Sequence, residues 1–299
     1  MLFAAFTFAL MGAGVKLASA YYSTAEIVFC RGMIGMLFVI GLILTKGGSL
    51  KTPLPRQHMI RSGIGVISLW LWFYSFTLLP VATATTLNYT SSIWIAAIMF
   101  CAGWWRGTQP FEWRLAGTIL LSFAGVALLL RPSVGSSQTI GGLIALVSGF
   151  ISAMAYLQVR NLGQLGEPEY RVVFYFSMTG AIAGFCGSLI DGRIPLWHSH
   201  SSTGPWLLLG LGLSATLAQM AMTRAYRLGN TLVTANLQYT GIVFSSMLGI
   251  MFWGDLLSWI GWTGVIIILT SGILATFYNQ RSNRSTDKAQ AIDPIAAEI

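Results

Sequence analysis

Charge is what this sequence has least of. Only 9% of its 299 residues are Asp, Glu, Lys or Arg, against roughly a quarter in a soluble domain. A water-solvated globular fold is thereby excluded. Acid is scarcer than base, with 9 Asp and Glu against 17 Lys and Arg, and none of the acids stands at the centre of an apolar run. Glu26 and Asp191 lie toward run ends and Asp255 lies in a turn. The three histidines, His58, His198 and His200, are all read as loop residues without a Cys or acidic cluster beside them. That excludes a metal site and an intramembrane Ser-His hydrolase. No Gly-rich phosphate loop is present, so direct use of ATP is excluded and no cofactor is expected. Cys30, Cys101 and Cys186 all fall in apolar runs, where they are expected to pack as small apolar groups and form no disulfide framework.

What the sequence has in abundance is apolar length. Hydrophobic residues make up 55% of it, and one bilayer crossing takes about 20 mostly apolar residues. Ten such runs follow one another, at about 2–20, 24–45, 60–79, 82–102, 112–131, 139–159, 171–190, 204–223, 231–252 and 258–278. The fold class is therefore an all-α integral membrane protein with ten transmembrane helices. Some joints are tight: Pro80 almost alone joins runs three and four, and Leu228-Gly229-Asn230 joins eight and nine. Pro80 and Gly229 are candidate hinges for gating. No connection has room for a soluble catalytic or nucleic-acid-binding domain.

Basic side chains gather in short cytoplasmic loops, and here 13 of the 17 Lys and Arg fall on one face of a ten-span chain. They include Lys46, Lys51, Arg56, Arg61, Arg106, Arg160, Arg171 and Arg227. Both termini are therefore expected in the cytoplasm, and the surplus of base is an orientation signal with no nucleic-acid partner implied. The first run lacks a basic leader and is read as a retained helix. Trp104, Trp105, Trp113, Trp197, Trp206, Trp253 and Trp259 sit near run ends, as in an interfacial aromatic belt. The polar tail 279–299 is expected to be disordered.

The two halves match weakly but in order. Val15-Lys16 falls on Val159-Arg160 and Gly35 on Gly180. Leu87, Tyr89 and Thr90 fall on Leu237, Tyr239 and Thr240, while Gly117 and Gly125 fall on Gly264 and Gly272. A repeat unit of five crossings must enter the membrane the second time in the opposite sense, so the repeats are inverted. Inverted repeats characterise secondary transporters, whose sites lie at mid-membrane between the halves; channels also arise by duplication.

These features together carry a resemblance. The Gly-rich first helix ending in Lys16, the Arg31-Gly32 pair early in run two, and the Leu79-Pro80-Val81-Ala82 turn resemble the drug/metabolite transporter (DMT) superfamily with paired EamA domains. The resemblance covers residues 1 to 278. It divides the chain into a first repeat over 1–131, a second over 139–278, and the tail 279–299. Within the superfamily the sequence is most similar to YddG-type exporters of aromatic amino acids. The resemblance implies a central cavity, alternating access, and export of amino acids across the bacterial inner membrane by a carrier that is not an enzyme. The partners it implies are a small-molecule substrate and the lipid bilayer, with the chain a monomer.

Polar groups at mid-span mark the expected site, because they are costly in hydrocarbon unless they face a cavity. Run four carries Asn88, Tyr89 and Ser92, and run nine carries Asn236, Gln238 and Tyr239. These could hydrogen-bond the ammonium and carboxylate of an amino acid, with Tyr74, Trp94 and Tyr156 as an aromatic wall. The alternative is that they bond helix to helix. Arg31, about 10 Å inside run two at 1.5 Å per residue, could attract a carboxylate or lock the helix. The absence of mid-membrane acid favours neutral or zwitterionic cargo over cationic drugs, and points to facilitated or weakly coupled transport.

Overall fold

A computed structural model describes residues 1–105, 113–130, 136–190, 203–255, 258–271, 273–274 and 277. Among these the regular structure is entirely helical. In chain order the helices are α1 (Leu2–Ala18), α2 (Thr24–Lys46), α3 (Pro55–Leu78), α4 (Val81–Tyr89), α5 (Ser91–Trp105), α6 (Trp113–Leu130), α7 (Ser136–Gln164), α8 (Glu169–Ile190), α9 (Gly204–Leu228), α10 (Thr231–Leu237) and α11 (Thr240–Trp253). A further helix, α12 (Trp259–Ser271), follows. By length and composition α2, α3, α8, α9 and the stretch Gln138–Gln164 of α7 could each cross a membrane. Arg106, Arg131, Asp191, Arg193, Trp197, His198, His200 and the tail from Asn279 lie outside the described residues.

Local chemistry sets the helix ends. Ser23 caps α2 through a reciprocal pair, in which Glu26 N–H donates to Ser23 Oγ at 3.3 Å and Ser23 N–H to Glu26 Oε2 at 2.7 Å. Glu26 is thus engaged at its own cap, five residues before Arg31. Pro55 opens α3 at its first helical position. Asn230 Oδ1 accepts from the N–H groups of Leu232 and Val233 to start α10. Gly254, at φ +63°, ends α11 in the left-handed region.

Three expectations need correction. Runs four and nine, expected as single helices, are each two. At the first break Thr90 Oγ1 donates to the Leu87 carbonyl at 2.6 Å, and at the second Thr240 Oγ1 donates to the Leu237 carbonyl at 2.8 Å. Backbone bonds there shorten to three-residue spacing: Thr90 N–H to Leu87 O, Tyr239 N–H to Asn236 O and Gly241 N–H to Gln238 O. A hydroxyl that competes for the ladder carbonyls opens and bends the helix, while the apolar run continues unbroken through it. His58 is not a loop residue, because α3 begins at Pro55, before the apolar run does. Arg61, counted among the bases of the cytoplasmic face from the start of run three, is turned inward and only 2% exposed.

The helices pack chiefly across the two halves: α2 against α8, α3 against α7, and α1 against α9. Close approach of α2 and α8 depends on glycine. A Cβ on Gly32 would collide with the backbone of Ala181 and Ser177, and one on Gly184 with the backbone of Phe29 and Ala25. Small residues let helix backbones meet where lipid offers no hydrophobic force to join them. The halved helices also cross, α4 on α11 and α5 on α10. The core between them holds Trp72, Phe73, Phe76, Leu87, Tyr89, Tyr226 and Tyr239, all buried.

Candidate functional site

The packing of α3, α7, α8 and α9 leaves a cavity at the centre of the bundle. Arg61, Ser68, Trp72, Tyr156, Phe176 and Gln219 form much of its wall. Its free space is about 40 Å³, room for about three water molecules at 10–15 Å³ each and too little for an amino acid. The walls must therefore separate for any cargo of that size to enter. Each helix break touches the wall of this cavity from behind: the Tyr89 ring packs on Trp72 at 6.2 Å, and Gln238 Nε2 donates to Tyr156 Oη at 3.2 Å.

Two buried guanidinium groups share the Phe176 ring of its wall, Arg61 from within the lining and Arg31 from behind it. Arg61 lies over Phe176 with its Cζ 4.1 Å from the centroid, and Arg31 with its Cζ at 4.9 Å. Arg31 is 3% and Arg61 2% exposed. Gly65 makes the room, since a Cβ there would stand 2.6 Å from Arg61 Nη1. Each cation–π contact contributes about 0.5–2 kcal/mol, whereas taking an ion out of water costs several kcal/mol even after relaxation. The ring alone does not offset that. Among the described residues Arg31 Nε and Arg61 Nε and Nη1 have no hydrogen-bond partner, and no carboxylate pairs with either side chain.

The other expected site residues divide into helix fasteners and free donors. Asn88 Nδ2 donates to Ser148 Oγ at 2.8 Å and Ser152 Oγ at 3.3 Å, and Ser68 bonds the same two serines of α7. Asn88 therefore joins α4 to α7. Ser92 Oγ donates to the Ala235 carbonyl at 2.8 Å, joining α5 to α10. Tyr89 and Tyr239 are 1% and 4% exposed, and the Tyr239 hydroxyl approaches Ser92. The hydroxyls of Tyr89 and Tyr226 and the indole N–H of Trp72 are buried without a partner among the described residues. Trp94 packs edge-on against Phe150 at 5.1 Å. Asn236 is half-buried, and Tyr74 is 44% exposed on the outer face of α3, apart from the cluster. Pro80 and Gly229 occupy the expected turns.

Several of these residues escaped the sequence reading. Tyr226 stacks on Tyr156, with centroids 5.5 Å apart and planes at 20°. It also lines a second, polar cavity of about 220 Å³ with Arg160, Gln164, Arg227 and Asn230. The stacked pair thus separates the central cavity from this one. Arg61 could have been found from Pro55, which marks a helix start two turns earlier; nothing in the sequence singles out Tyr226 or Phe176.

Polar clips tie the halves together at both ends of the bundle. On the face that carries Lys46, the buried Glu167 accepts from Thr52 Oγ1 at 2.7 Å and Arg171 Nη1 at 2.8 Å. His58 Nε2 approaches the same carboxylate to 3.2 Å. Arg171 also donates through Nε and Nη2 to the Ser49 carbonyl, and Tyr175 Oη donates to the Leu50 carbonyl. Burial alone would raise the Glu167 carboxyl, but the hydrogen bonds from Thr52 and Arg171, with the His58 ring close by, outweigh it and hold the group below its ordinary range. At the opposite end Lys16 Nζ meets Asp255 Oδ2 at 3.4 Å and lies over the Trp253 ring.

A multi-helical membrane protein with a small polar cavity among its helices is the class this geometry defines. Residues 1–131 match the EamA-like transporter family. The chain is 29% identical over 273 residues to the pseudopaline exporter CntI of Pseudomonas aeruginosa, covering 90% of this chain and 92% of that one. It is 24% identical over 291 residues to a riboflavin transporter of Vibrio cholerae, with 95% and 94% covered. It is 19% identical over 268 residues to an S-adenosylmethionine uptake transporter of Rickettsia prowazekii, with 89% and 87% covered. A solved crystal structure superposes with a TM-score of 0.65 at 19% identity, over 93% of this chain and 96% of that one, which speaks for the fold. Residues 1–131 thus resemble an EamA domain, relatives that cover most of the chain are named as transporters, and the protein is a multi-pass protein of the inner membrane.

Proposed function

We propose that this protein is a secondary transporter that exports amino acids or amino-acid-derived carboxylates across the bacterial inner membrane by alternating access. Ten spans in two inverted five-helix repeats, with both termini in the cytoplasm, carry the motion. The supporting observation is the pair of helix breaks, at Thr90 and at Tyr239-Thr240, each with a threonine hydroxyl on the carbonyl of a leucine three residues earlier. Broken helices in corresponding positions of two halves are where carriers place their sites, because unwound backbone is tolerated only beside a cavity or inside protein. The exchange of pairings between halves, α1 on α9 as α3 on α7, supports the repeat. Tyr89, Tyr156, Tyr226 and Gln238 supply hydrogen bonds to the cargo, and Arg31 and Arg61 attract its carboxylate. Tyr74 on its exposed face does not contribute. The Glu167 clip closes the cytoplasmic face and the Lys16–Asp255 pair the opposite one, each released in turn. Relatives named for export and for uptake both occur, and the export direction rests on the likeness to the pseudopaline exporter and to the amino acid exporters. Counterflow of labelled amino acids in proteoliposomes tests the reading: saturable, competable flux supports it, while no flux above protein-free vesicles, or flux that does not saturate, overturns it.

A further inference from the structure

The charge at the centre of the bundle names the kind of cargo more closely. Arg31 and Arg61 bring two positive charges to one buried site on the shared Phe176 ring. The nearby acids in sequence or space are engaged elsewhere: Glu26 at the cap of α2, and Glu167, which reaches His58 one turn before Arg61, by Arg171 and Thr52. The remaining polar groups of the cavity are neutral: Ser68, Ser152, Tyr156 and Gln219. No carboxylate among the described residues lines the cavity to receive an ammonium or other cation.

A zwitterion with one carboxylate has no net charge and would leave the two positive charges of this buried site unbalanced. Guanidinium is always charged and presents a planar fork of donors matched to carboxylate. The second cavity continues the theme, with Arg160 and Arg227 in its wall on the far side of the Tyr156–Tyr226 stack. Arg227 there also donates to Glu169 at 3.1 Å. Resting on the carrier reading above, we infer that the cargo is a net-negative small molecule with at least two carboxylates, bound by Arg31 and Arg61 together and passed between the two cavities at the tyrosine pair. This departs from the neutral or zwitterionic cargo that the scarcity of acid suggests, because that argument counted missing acids without the buried Arg61.

Competition in proteoliposomes bearing the full chain provides the test, with labelled L-glutamate and L-phenylalanine as probes and unlabelled succinate and acetate as competitors at equal ionic strength. Wild-type protein should take glutamate with at least tenfold lower half-saturation than phenylalanine, and succinate should compete at least tenfold better than acetate. Arg61→Gln and Arg31→Gln should each level that order, whereas Arg61→Lys should keep it at weaker affinity. Equal or reversed preference in the wild type overturns the inference and leaves the carrier reading standing, and so does an order unchanged in Arg61→Gln. Absence of saturable flux for every probe overturns both. Should the glutamine variants fail to fold, the wild-type order decides alone.

Discussion

Removing the charge of Glu167 tests how the faces are held. Its carboxylate is 3% exposed and takes hydrogen bonds of 2.7 Å from Thr52 and 2.8 Å from Arg171, which together bridge the 47–54 segment to the start of α8. In Glu167→Gln the amide oxygen can keep the Thr52 bond, while the charge-assisted bond to Arg171 is lost. Such bonds contribute about 1.5–3 kcal/mol net. Arg171 keeps its two bonds to the Ser49 carbonyl, so the lower part of that range applies, about 2 kcal/mol. That corresponds to roughly a 30-fold rise in the population with this face open, at 1.4 kcal/mol per tenfold. Ser62, 1% exposed one turn inward of His58, reports the opening. In a background with Cys30, Cys101 and Cys186 replaced, Ser62→Cys should react about 30-fold faster with a membrane-impermeant thiol reagent when Glu167 is Gln. Acid should act likewise, with a defined sign. A carboxyl held below its ordinary value stabilises the closed face at all pH above that value, and the contribution disappears as pH falls through the lowered one. Measured relative to a free thiol at the same pH, because the thiolate is the reacting species, wild-type reactivity should stay level from neutral pH through the ordinary carboxylate range and rise only below it; Glu167→Gln should show no such rise. Equal reactivity of Glu167→Gln and wild type, or a wild-type rise at neutral pH, would refute the clip.

Three further outcomes follow from the packing. Gly32→Ala should destabilise the α2–α8 contact by at least 1–3 kcal/mol, because backbone atoms of Ala181 and Ser177 occupy the space; thermal unfolding in detergent measures it, and an unchanged midpoint counts against the close approach. Lys16→Met should cost no more than about 1 kcal/mol, since its partly exposed pair with Asp255 spans 3.4 Å, and a larger loss in the same assay would show a role beyond the ion pair. Tyr74→Ala should leave transport within about twofold of wild type, given its outward position; a tenfold loss would return it to the site.

Much of this architecture was legible in the sequence, and what was missed has physical causes. Hydropathy and turn residues located the helices and the joints at Pro80 and Gly229, because those depend on local composition. The repeat match Leu87, Tyr89 and Thr90 to Leu237, Tyr239 and Thr240 marked the two places where the helices break, though not the breaks themselves. These arise from one hydroxyl competing for one carbonyl inside an unbroken apolar run. Arg61 stood at the start of run three and was counted for orientation alone, because hydropathy does not say which way a side chain turns. Tyr74 and Tyr226 show the complementary limit: an aromatic in the last turns of a helix can face lipid or core, and only packing against α7 distinguishes the second from the first.

Hydroxyl deletion tests most directly whether cargo binds where the two broken helices meet the wall of the cavity. Tyr89 and Tyr226 carry buried hydroxyls without a partner among the described residues, so Tyr89→Phe and Tyr226→Phe remove no internal hydrogen bond and should leave the unfolding midpoint unchanged. A lost hydrogen bond to a charged group is worth about 1.5–3 kcal/mol, so counterflow of the preferred labelled amino acid should need roughly 10- to 100-fold more substrate for half-saturation in each variant. Half-saturation equal to wild type in both variants, with stability retained, would contradict the site.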